Sequence, residues 1–138
     1  MVYALDTNTI SFLLRGEVKV VKCFQKEIVK VGNPYVIPPI VYFEIRRWLL
    51  NKPTKALYVF SQHFDRMFGN VKNKADMSSS VWDKAVDIYI SLKDKGQLIG
   101  DADILIAAYC IDNDYTLVTD NERDFGRINE IKIVNWKK

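Results

Sequence analysis

Val2-Tyr3-Ala4-Leu5-Asp6-Thr7-Asn8-Thr9 runs four apolar residues straight into an acid and a string of helix-capping side chains. A short apolar run reads as a buried strand. Asp, Thr and Asn are the side chains that accept the orphan N–H groups of a helix start. Ile10, Phe12, Leu13 and Leu14 follow, and Gly16 suits the helix end. The stretch predicts a strand, an acid at its carboxyl end and then a helix. The same succession recurs downstream. Tyr35-Val36-Ile37 is a second strand, and Pro38-Pro39 opens a helix carrying Ile40, Phe43, Glu44, Trp48 and Leu49, since proline suits the first helical position. Thr116-Leu117-Val118-Thr119 is a third strand, and Ile131 and Ile133 on either side of Lys132 suggest a last one.

Helices are predicted at about 18–31, at about 54–68 and at about 102–111 behind Gly100. Another follows Ser80-Val81-Trp82-Asp83, which has the form of a capping box, with Val81, Ala85, Ile88 and Leu92 on one face and Gly96 at its end. Gly69 to Met77 is weakly patterned, with a short strand placed near Val71. Strands alternating with helices predict an α/β fold built on a mainly parallel sheet flanked by helices, as one domain over residues 1–138.

Composition narrows the chemistry. Cys23 and Cys110 are the only cysteines, far apart in sequence, so a reduced cytoplasmic chain is expected and no disulfide framework. A charge at the sixth residue fits neither a secretory leader nor a membrane span. His63 is the single histidine, which rules out multi-histidine and Cys₂His₂ zinc sites and leaves any Ser-His-Asp scheme only His63 to run through. His63 itself reads as a surface or partly buried helical residue and Cys110 as core packing. With 20 basic and 17 acidic residues the net charge is +3, which permits a nucleic-acid partner without arguing for one.

The remaining chemical resource is carboxylate. In an open parallel sheet ligands sit outside the carboxyl ends of the strands. Asp6 ends the first strand. Asp120, Asn121 and Asp124 follow the third, Asp101 and Asp103 begin a helix, and Glu44 lies early in another. Gathered acids repel: two unit charges about 4 Å apart cost roughly 4 kcal/mol at an effective dielectric near 20. A cation relieves that, and oxygen-only ligands favour Mg²⁺ or Mn²⁺, which can activate water against a phosphodiester. Each acid also has a plain structural role. Asp6 caps a helix, Glu44 pairs with Arg47 on the surface, Asp101 is an N-cap, and Asp120 and Asp124 are turn residues. Asp103 stands two positions beyond Asp101 and points to a different side of their helix. Ala107 and Ala108 beyond it let that helix lie close to the sheet.

Four blocks occur in order: Asp6-Thr7-Asn8 after its apolar strand; Glu44 after Pro39-Ile40-Val41-Tyr42-Phe43; Ile99-Gly100 with Asp103 and Ile106-Ala107-Ala108; and Leu117-Val118-Thr119 with Phe125. Together they resemble the PIN domain and, within it, ribonuclease toxins of the VapC type, over essentially the whole chain to Val134-Asn135-Trp136. The resemblance implies a metal-dependent endoribonuclease acting as the toxin of a toxin–antitoxin pair. Asp6, Glu44 and Asp103 match the acidic core that would hold Mg²⁺ or Mn²⁺. The fourth acidic position falls on Asn121, so Asp124 and then Asp120 are candidates to replace it. Thr7, Asn8 and Thr119 are candidates to orient the carboxylates. The resemblance further implies a groove for a small antitoxin along the early helices and a homodimer.

Basic residues are scattered, among them Arg46, Arg47, Lys52, Lys55, Lys72 and Lys74, and any one reads first as a solvated charge. Arg123 and Arg127 stand near the acidic rim in sequence and are candidates for RNA phosphates. Phe12, Phe43 and Trp48 read as core. Two other functions stay open: a PIN-like module that binds RNA or protein without cutting, which Asn121 keeps alive, and a phosphatase with Asp6 as nucleophile. Asn8 counts against the second, since that chemistry wants an acid two residues on.

Overall fold

Tyr3–Leu5 is β1 and is buried along its whole length, as an interior parallel strand must be. In the computed structural model, which describes residues 1–71 and 76–138, it pairs with Tyr35–Val36 (β2) on one side and Thr116–Val118 (β3) on the other. Lys132–Val134 (β4) adds to β3, so the four strands run parallel in the order β2-β1-β3-β4. The chain leaves β1 toward β2 and leaves β3 toward β4, in opposite directions across the sheet. The carboxyl ends of β1 and β3 therefore flank the switch point, where such sheets bind their ligands. Asp6 and Thr119 stand there, one at each strand end.

The connecting helices follow their local chemistry. Thr7–Arg15 (α1) is capped by the Asp6 carboxylate, which accepts from the Thr9 N–H at 2.8 Å, and closes at Gly16 with φ 75°, a conformation that glycine adopts at no steric cost. Val18–Phe24 (α2) continues as a π-helical segment over Gln25–Lys30. Pro39–Asn51 (α3) begins on its proline, and Lys55–Gly69 (α4) is capped by the Thr54 hydroxyl. Ser79–Asp94 (α5) packs against Asp101–Asn113 (α6), and Glu122–Phe125 (α7) precedes β4. Val81, Ala85, Ile88 and Leu92 are buried as their spacing requires. Trp136 is buried edge-on against Tyr3 and Phe24.

Four local expectations are corrected. Ser80 does not open α5. It lies inside the helix, and its hydroxyl donates to Asp112 at 2.8 Å instead of closing a capping box. Asp101 is the first helical residue of α6, and the cap before it is Gly100 with no side-chain bond. No strand forms at Val71, and Lys72 and Lys74 lie outside the described residues. Phe43 is not core: it is 57% exposed, because α3 turns it away from the sheet, while Trp48 is half-buried against Phe60 with the Arg15 guanidinium over its ring. His63 is exposed and Cys110 buried, as read. Among the described residues no helix is long and apolar enough to cross a membrane.

Ala107 and Ala108 are fully buried on α6, which packs against α5, α3 and β3. Ala107→Leu is expected to lower the urea midpoint by an amount worth about 1–3 kcal/mol with an unchanged m-value. Unchanged stability would mean that α6 does not press on its neighbours here.

Candidate metal centre

Asp6 sits 5% exposed at the end of β1. It cannot turn to solvent, because its own carboxylate caps α1 and its N–H donates to the Val118 carbonyl at 3.2 Å. Two threonines tie the strand ends together around it. The Thr9 hydroxyl donates to the Val118 carbonyl at 2.9 Å, and the Thr119 hydroxyl accepts from the Asn121 N–H at 3.0 Å, which leaves the Thr119 proton for the Asp6 carboxylate. Burial pushes the Asp6 carboxyl up to about 6. The hydrogen bonds of Thr119 and Thr9 pull it back part of the way, and nearby Asp120 adds to the rise. Thr9 was missed in the sequence. Its signal was its place three residues after Asp6, where a cap takes its backbone N–H.

α3 and α6 bring two further acids to the same rim. Glu44 accepts from the Thr7 hydroxyl at 2.6 Å. It makes no ion pair with Arg47, whose guanidinium lies over the Phe43 ring at 5.1 Å; an i,i+3 neighbour was available, but α3 aims Glu44 inward at α1. Asp103, one turn into α6, has its carboxyl raised by burial first, then by the charges of Glu44 and Asp124. Asp6, Thr7, Asn8, Glu44, Asp103 and Asn121 line one cleft of about 170 Å³ floored by Ile106 and Phe125. Asp101 is turned away, into an apolar groove of about 300 Å³ between α5 and α6. That groove is roomier than the acidic cleft, so donor chemistry and not size marks the site.

The fourth acidic position is filled as follows. Asn121 lines the cleft and caps α7, its amide oxygen accepting from the Asp124 N–H at 3.3 Å while its amide donates to the Asp124 carboxylate at 3.2 Å. Asp124 is not among the residues lining the cleft; its charge acts on Asp103, and Arg127 approaches it at 4.0 Å. Asp120 is on the Asp6 side and accepts from the Asn8 amide at 3.4 Å. Arg127 also donates through one nitrogen to the carbonyls of Gln97 and Leu98, whereas Arg123 is exposed on α7.

The donor set fits a hard divalent cation: carboxylates and an amide oxygen, with no sulfur or imidazole. Among the described residues no three acidic, cysteine or histidine side chains are spaced to hold a metal ion together. Thr7 holds Glu44 and the α1 N-terminus holds Asp6.

A sequence profile of the PIN domain matches residues 3–131. The chain belongs to the PIN domain family. It is 28% identical to ribonuclease VapC2 of Rickettsia felis, with both chains covered end to end. It superposes on a chain of VapBC2 from Rickettsia felis, a structure bound to a DNA fragment from their promoter, with a TM-score of 0.84 at 26% identity over 99% of each chain. VapBC-1 from nontypeable Haemophilus influenzae gives the same TM-score at 21% identity over the whole of both chains, a likeness of fold. The single PIN architecture expected from the order of strands and acids is the one observed.

The buried acid makes stability depend on pH. A carboxyl raised from 3.8 to about 6 in the fold binds its proton more tightly folded than unfolded, so stability falls as pH rises between those values and stays reduced above them. At about 1.4 kcal/mol per pH unit this amounts to about 3 kcal/mol. Asp6→Asn keeps an acceptor for the cap and cannot ionise. In chelator, it is expected to be the more stable protein at pH 7.5 by up to about 3 kcal/mol, with the gap closing near pH 4 in chemical denaturation. A gap that does not move with pH would refute the buried-charge reading.

Proposed function

We propose that this chain is an Mg²⁺- or Mn²⁺-dependent endoribonuclease and the toxin of a toxin–antitoxin pair. The observation that carries the reading is that Asp6, Glu44 and Asp103, from three segments distant in sequence, line one small cleft at the switch point of the sheet. Membership of the PIN family and the likeness to a ribonuclease VapC along the whole chain support it.

Asp6, Glu44 and Asp103 would hold the ion, with the Asn121 amide oxygen, Asp124 and Asp120 as candidates to complete its shell. Bound there, the ion supplies Lewis acidity toward phosphate oxygen and toward water. The chain's residues do the rest. The Thr7 hydroxyl fixes the Glu44 carboxylate, and Glu44 orients the attacking water. Thr119 and the Thr9 N–H favour, against burial, the ionised form of Asp6 that a ligand requires. Asn8 steadies Asp120. Asn121 adds an oxygen without a charge, which leaves the cleft one acid poorer and favours a single tightly held ion over two. Water attacks phosphorus and the bond to the 3′ oxygen breaks, leaving 5′-phosphate and 3′-hydroxyl ends.

The relatives solved as VapBC complexes support a small cognate antitoxin as partner. The exposed apolar side chains Trp82, Val86 and Tyr89 beside the α5–α6 groove suit the homodimer contact expected of such a toxin. The chain would act in the cytoplasm, where its RNA is.

The test compares total RNA treated with wild type, Asp103→Asn and Asp101→Asn, with Mg²⁺ or with chelator. Asp103→Asn is nearly isosteric and is expected to lose at least about 100-fold in cleavage rate while keeping its circular dichroism. Asp101→Asn, facing away, is expected to cut like wild type, and chelator to silence all three. Expressed alone, wild type is expected to arrest bacterial growth and Asp103→Asn to be harmless. Equal cutting by wild type and Asp103→Asn would overturn the assignment.

A further inference from the structure

The acidic cleft does not end at Glu44. A second depression of about 510 Å³ shares Thr7 and Glu44 with it and continues along α3 past Arg47, Trp48, Asn51 and Lys52. Helical spacing explains the alignment. Residues 44, 47, 48 and 51 recur at i, i+3, i+4 and i+7, one stripe of α3, and seven residues rise about 10 Å along the axis. The stripe leads away from the acids, with Arg47 on it and Lys52 just past the helix end.

The arginines of α3 divide sharply. Arg46 is committed inward: it pairs with Asp65 at 2.7 Å and lies over the rings of Tyr42 and Phe64. Arg47 and Lys52 are exposed, and among the described residues neither makes an ion pair. Arg47 is instead laid over the exposed Phe43 ring, which steadies a guanidinium without using its hydrogen-bond donors. Trp48 is half-buried beside it. Cations with free donors along a trough wider than the cleft suit the backbone of a single nucleic-acid strand.

We infer that the α3 trough is the path of the RNA strand flanking the cut, with Arg47 and Lys52 taking its phosphates. The inference rests on the ribonuclease reading of the adjacent cleft. It gives Arg47 and Lys52 a positioning role: they hold the strand beside the acids and take no part in the reaction. Their contacts go to phosphate, so they carry affinity without sequence choice.

The test measures binding of a fluorescent single-stranded uridine oligomer by anisotropy against salt, on the Asp103→Asn background so that the probe stays intact. Three proteins are compared: that background alone, the same with Arg47→Gln and Lys52→Gln, and the same with Lys93→Gln and Lys95→Gln on α5. Cleavage kinetics are run on the same pairs of substitutions with Asp103 retained. Each phosphate contact on a single strand contributes about 0.7 to the slope of log affinity on log salt. Arg47→Gln/Lys52→Gln is therefore expected to flatten the slope by about 1.4 and to raise KM with kcat kept, while the α5 pair changes neither. If RNA is bound and cut but the α3 pair leaves slope and KM unchanged, the trough is refuted and the nuclease reading stands. If the α3 pair keeps its RNA behaviour yet loses a co-expressed small protein partner, the trough is a peptide seat and the inference is overturned. If wild type neither binds nor cuts RNA, both readings fall.

Discussion

The burial of the Asp6 carboxylate is the constraint around which the rest of the molecule is arranged. Placed at the end of the central strand and 5% exposed, it can be accommodated only where backbone N–H groups and hydroxyls turn toward it. The first turn of α1 supplies the former, and Thr119, held by Asn121, supplies the latter. That arrangement fixes the angle at which α1 leaves β1 and couples β1 to β3 through Thr9 and Val118. Even so, burial wins over the hydrogen bonds and the carboxyl stays raised. The site stores an unfavourable charge that a bound cation would relieve.

The neighbouring helices serve the same point. α6 brings Asp103 within the field of Glu44 and Asp124, and its Ala107 and Ala108 are fully buried. α3 contributes twice, with Glu44 held toward α1 and, along the depression beside it, Arg47 followed by Lys52 just past the helix end. One helix thus joins an anionic pocket suited to a metal to a cationic trough suited to a polyanion. The net charge of +3 conceals this division between acids in the cleft and bases along its approach.

Much of this was legible in the sequence, and the reasons differ by residue. The strand-to-acid-to-helix pattern at Val2–Thr9 fixed both the central strand and the position of Asp6, because apolar burial and capping are local. Asp103 could be separated from Asp101 by helical geometry alone, and the structure turns them to different cavities. What could not be read depended on tertiary partners. Glu44 had Arg47 three residues away and Thr7 thirty-seven away, and the distant hydroxyl won. Ser80 had capping chemistry but found Asp112 across the α5–α6 contact. Arg127 stood near the rim in sequence and also bonds the carbonyls of Gln97 and Leu98, while Arg47, which looked like ordinary surface, lines the trough.

The most direct test of a metal centre at this switch point is a titration with Mn²⁺ followed by electron paramagnetic resonance, with Mg²⁺ as competitor. Wild type is expected to hold Mn²⁺ that Mg²⁺ displaces. Asp6→Asn and Asp103→Asn are each expected to weaken that binding by about 10-fold or more, and Asp101→Asn to leave it unchanged. Equal Mn²⁺ binding by all four proteins, or binding lost only with Asp101→Asn, would contradict the account.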